Sequence, residues 1–262
     1  MNKYDRYLIF DDPIPYKALL LYPVKIRDYM LLLTLASCLM LEKNSIKDPM
    51  LAMKAISMTY LEYLISISNK ENQLIALFVG LMALVLGKKE DKDFEINFYT
   101  DKTGRPLFEI YGVKYDSTDF DNLREIIAEQ NNLDLPDEKI QKNVREAMEE
   151  ARRFKERLNK SKTASFEEQV LALGLFSGWD LEKIYNMTIR KFVLSIQRAN
   201  HMIMSNIYLT ASMSGFVTFK DKSILRGWLA DLTSNDKYSD VTMSLDSITK
   251  KVSGEEAREN KK

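Results

Sequence analysis

Apolar residues recur along most of this chain at the three- and four-residue spacing of helices, and change to strict alternation over one short stretch. The first apolar runs, in "YLIFDDPIPYKALLLYPV", are interrupted by Pro13, Pro15 and Pro23. Proline fixes φ and has no N–H to donate, so these runs predict a strand or two and no helix. Helical patterning starts near Lys25, in "KIRDYMLLLTLASCLMLEK". After a break at "NSIKDP", Asp48 can cap a helix with Pro49 at its first position. That helix is expected to reach about Ser68, and a strongly apolar one comes next and stops at Gly87.

The alternation falls in "DFEINFY", where Phe94, Ile96 and Phe98 are set against Glu95 and Asn97, the period of a half-buried strand. "TDKTGRP" reads as a turn, with Gly104 free to take positive φ. "LFEIYGVKY" reads as the returning arm of a β-hairpin. A two-stranded hairpin is marginal alone, so it should lie on helices or pair with the N-terminal strands in a small mixed sheet.

Beyond it the pattern is helical. "DSTDFDNLREIIAEQNN" begins with capping residues and acids suited to the positive end of a helix dipole. From Pro136, "DEKIQKNVREAMEEARRFKERLNK" carries Ile140, Val144, Ala147, Ala151, Phe154 and Leu158 at steps of four, three, four, three and four. That is a heptad seam, and it is the candidate partner-binding surface. Packing of the seam inside the same chain is the alternative. "NKSKTAS" reads as a hinge, Ser165 and Glu168 form a capping box, and the longest helix should run from after Thr188 to about Met213. Ala211, Ser212, Ser214 and Gly215 mark a structural corner, followed by a short helix from Ser223 to about Leu232 with Trp228 packed back on the bundle. The expected class is mainly α with a small β component (α+β). Its regions are 1–115 (strands, apolar helices and hairpin), 116–232 (helical) and 233–262 (a polar, disordered tail).

Charge narrows the function. Lys plus Arg equals Asp plus Glu at 38 each among 262 residues, for a formal net charge of zero. Duplex nucleic-acid binding draws most of its affinity from phosphate neutralisation, so this balance argues against it. Residues 137–162 hold nine Lys/Arg against six Asp/Glu, with the signs interspersed as on a solvated helix face. The start, "MNKYDRYLIFDD", has no secretory signal pattern, and a cytoplasmic location is expected. "LIALFVGLMALVLG", Leu74 to Gly87, is too short for a bilayer span and reads as a buried helix. Cys38, the single cysteine, sits in an apolar run and reads as a small core hydrophobe.

Groups that attack, titrate or coordinate are sparse. His201 is the one histidine and falls opposite the early apolar stripe of the longest helix, where it reads as a polar contact. No metal-ligand spacing and neither phosphate-cradling glycine pattern occurs. "GLFSG" at 174–178 places its serine one position too late for a nucleophile elbow and reads as a helix end. Asp116, Asp119 and Asp121 could hold a hard cation, but capping and dipole compensation account for them. Catalytic residues, cofactors and metals are therefore expected to be none.

Three stretches are familiar. "IPYKALLLYPVKIRDYMLLL" with "SMTYLEYL", "IYGVKYDSTDFDNLREIIAEQNN", and "IRKFVLSIQRANHMIMSNIYLTASMSGFVTFKDKSILRGWLADL" together resemble proteins of tailed phages and prophages of low-GC Gram-positive hosts. Such proteins are associated with the tail-morphogenesis region. The resemblance implies a tail assembly chaperone, a non-enzymatic helical protein that keeps tail-tube or tape-measure subunits soluble until they polymerise. It transfers no functional residues. A structural virion protein of the baseplate or connector and an enzyme with an unrecognised site are the competing readings, and self-association stays open.

Overall fold

The prolines of the N-terminal stretch act later in the chain than their number suggests. In the computed structural model a helix, α1 (Asp5–Phe10), precedes them. It ends where Asp11 turns left-handed (φ 59°), two residues before Pro13. The expectation of no helix here is thus corrected, because Pro13 constrains only the residues beside it. The prolines do shape the next element, an antiparallel hairpin of β1 (Ile14–Tyr16) and β2 (Leu19–Leu21).

The structure describes residues 3–43, 49–68, 73–91, 93–136, 146–148, 150, 151, 154, 164–219, 227 and 229. Asp48, hinge residues 159–163, most of the expected final helix including Trp228, and the tail lie outside them. The chain divides into two compact units, one of Met1–Glu138 with Phe166–Asn200, the other of Lys139–Ser165 with His201–Lys262. Among the described residues the fold is α+β, mostly helical, with two small antiparallel sheets of two and three strands.

In the first unit, helix α2 (Tyr29–Leu35) is flanked by single 3-10 turns at Ile26–Asp28 and Ala36–Cys38. The helix starting at Pro49 does not continue to Ser68. It splits into α3 (Pro49–Ser57) and α4 (Tyr60–Ser68). The cause is a capping box in "TYLE": Thr59 Oγ1 accepts the Glu62 N–H at 3.2 Å, and Glu62 Oε2 accepts the Thr59 N–H at 2.6 Å. Thr59→Ala should cost about 1 kcal/mol, the usual loss for a removed N-cap, measurable as a lower urea midpoint at unchanged slope. Helix α5 (Gln73–Val85) then packs on α2 and α4. Gly80 permits this approach, since a Cβ there would lie 2.9 Å from Leu35 Cδ2.

Only the end of the alternating stretch forms a strand, β3 (Asn97–Thr100), with Phe94–Ile96 outside it, and Asp101 closes the turn that follows. Its Oδ1 accepts from the Thr103 and Arg105 N–H groups, each at 2.8 Å. The returning arm is two strands, not one. β4 (Pro106–Ile110) and β5 (Val113–Tyr115) are joined by Tyr111 and Gly112, both at positive φ (53° and 76°), the conformation of a type I′ hairpin turn. The sheet is therefore a meander ordered β3-β4-β5, and the N-terminal strands form their own sheet, which corrects the mixed-sheet expectation. Each hairpin closes through its own turn, so no long crossover is needed to pair them.

Phe108 on β4, Tyr115 on β5, Phe78 on α5 and Phe120 on α6 (Ser117–Gln130) are fully buried together. Phe108 stacks on Tyr115 at 5.3 Å and meets Phe78 edge-on at 5.5 Å. This aromatic cluster glues the meander to the helices. The two-stranded sheet is tied in by polar contacts: the Leu21 carbonyl accepts from Gln130 Nε2 (2.9 Å), and the Val24 N–H donates to Asn131 Oδ1 (2.8 Å).

Helices α7 (Phe166–Ser177), α8 (Leu181–Tyr185) and the start of α9 (Ile189–Met213) complete this unit. Phe166 stacks on Tyr29 at 4.6 Å and sits 5.8 Å from Phe192. Helix α9 has the predicted bounds. Thr188 Oγ1 accepts the Lys191 N–H at its start (3.3 Å), and Gly215 takes φ 71° just beyond its end.

Candidate protein-binding surface

Several helices here are apolar on more than one side, and the fold buries only one side of each. On α7, Val170 and Leu173 enter the core while Leu171, Leu175 and Phe176 face out, Leu175 at 88% exposure. On α3, Met50, Met53 and Ile56 recur every third residue and are all exposed, Met50 at 82%. On α2, Leu32 is buried between exposed Leu31 and Leu33, with Met30 also exposed. A globular helix normally carries polar residues on its outer face, so these apolar faces stand out against single scattered surface leucines.

In the second unit, residues 146–148, 150, 151 and 154 are helical. Three seam members fall among them: Ala147 and Ala151 are exposed, and Phe154 is 59% exposed. Ile140, Val144 and Leu158 lie outside the described residues. In the same unit Phe216, just past the end of α9, is 95% exposed, and Met213 at the end of α9 is exposed too.

The groups that could have carried chemistry have structural partners. Asp116 and Asp119 form a capping box on α6, each carboxylate accepting the other's backbone N–H at 2.9 Å. Buried Asp119 also accepts from Tyr16 Oη at 2.9 Å and from Lys17 Nζ, both at the β1–β2 hairpin. Burial pushes its carboxyl up, but Lys17, the Asp116 N–H and the Tyr16 hydroxyl outweigh that and hold it below the ordinary carboxylate range. Tyr16 is pushed the other way, to about 12, by burial and by its bond to the Asp119 carboxylate. Lys17 Nζ also lies 5.3 Å from the centre of the Tyr115 ring. Together these contacts clamp hairpin to helix.

His201 Nε2 lies 3.1 Å from the Gly227 carbonyl oxygen, a polar contact within the second unit. The "GLFSG" stretch ends α7: Ser177 Oγ donates to the Leu173 carbonyl at 2.6 Å, and Gly178 takes φ 70°. Among the described residues no group of three or more His, Cys, Asp or Glu gathers as a metal site. No helix among them is long and apolar enough to cross a membrane. Cys38 is buried, and burial pushes its thiol up to about 12. It should resist thiol reagents at pH 8 in the native protein and react only on unfolding, which a timed colorimetric titration with and without urea would read.

The outer faces of α3 and α7 are not legible from periodicity, which marks a helix as apolar without saying how many of its sides are covered. The available signal is excess: "PMLAMKAIS" and "FEEQVLALGLFS" carry more apolar residues than one buried stripe uses. No family model matches the chain, and neither the curated proteins nor the solved structures contain a match.

Proposed function

We propose that the protein is non-enzymatic and binds other proteins through its outward apolar helix faces, as a tail assembly chaperone of a tailed phage acting on tube or tape-measure subunits. The observation that carries the binding reading is the set of exposed, helically spaced apolar side chains, above all Leu171 and Leu175 on α7 and Phe154 on the seam helix. Such faces hold an amphipathic partner segment by apolar contact, with no need of charge or cofactor. The phage assignment rests on the resemblance of the three stretches alone. The structural engagement of Asp116, Asp119 and His201 supports the non-enzymatic part.

The test is co-purification of the tagged full-length protein from phage-infected cells in mild salt, with mass spectrometry of the retained proteins. A tube or tape-measure protein should be recovered. Leu175→Glu and Phe154→Glu should each be made, and at least one should reduce recovery by about tenfold or more while leaving the melting temperature unchanged. Recovery of no tail component would overturn the proposal. So would finding the protein in purified virions, since a chaperone leaves before the particle matures.

A further inference from the structure

We draw no further inference here: the strongest candidate, the cleft beside α1 lined by Tyr7, Asp11, Gln130 and Arg190, has no room for even one water molecule and so cannot serve as a ligand site.

Discussion

Replacing Phe108 by alanine is expected to remove about 3–5 kcal/mol of stability, the range for deleting a buried aromatic ring. Phe108 sits on the central strand β4, is fully buried, and lies within 5.3 to 6.4 Å, ring centre to ring centre, of Tyr115, Phe78, Phe98 and Phe120. Those four rings come from β5, α5, β3 and α6, so the cavity left by Phe108 would open where every one of these elements meets. They cannot all close it, because each ring is held by its own backbone on a different side. Edge-to-face and stacked contacts of the lost ring add to the transfer term. A domain stable by only about 5–15 kcal/mol would lose a large share of its margin. Urea unfolding followed by tryptophan fluorescence and circular dichroism should show a much lower midpoint for Phe108→Ala and a smaller drop for Phe108→Leu. Equal midpoints for wild type and Phe108→Ala would show that the cluster does not hold the meander to the helices.

Removal of the Asp119 carboxylate should cost about 2–4 kcal/mol, from hydrogen bonds of a charged group lost where partners stay half-buried. One side chain closes the α6 capping box and receives Tyr16 and Lys17 from the hairpin. Asp119→Ala forfeits all three contacts. The Lys17 part is discounted, since that side chain is 44% exposed and well screened. The pH dependence has a definite sign. The carboxyl is held below its ordinary value in the folded protein, so the unfolded chain binds the proton more readily. Its stabilisation is complete above the unfolded pKa of about 4 and is lost as pH falls through the folded value. Wild type should therefore lose more stability than Asp119→Asn on going from about pH 5 to about pH 2, as read by urea midpoints at each pH. Parallel curves for the two proteins would rule out Asp119 as the titrating clamp.

Local chemistry is legible wherever it is self-contained. The bounds of α9, the cap of α6 at Asp116, the end of α5 near Gly87 and the turn around Gly104 follow from residues a few positions apart. Other local signals are present but masked by stronger ones. The Thr59–Glu62 capping box divides one apolar run into two helices, and Tyr111-Gly112 turns one arm into two strands. Tyr111 hides that turn because an aromatic residue at positive φ is uncommon, and only the pairing of β4 with β5 compensates it. The seam residues are legible as a period. Of the six, Ala147, Ala151 and Phe154 have a described setting, and it is exposed.

By itself, then, the sequence determined the helical character, the placement of the β stretch and most helix ends, because capping, periodicity and backbone restriction act over one or two turns of chain. Only the tertiary structure decided that the strands form two separate sheets, that Asp119 grips a hairpin about a hundred residues away, and which side of each apolar helix is left uncovered. Those outcomes depend on which surfaces meet. Burial is non-directional and proportional to area, so a row of leucines reads the same along the chain whether its neighbour in space is another helix or water.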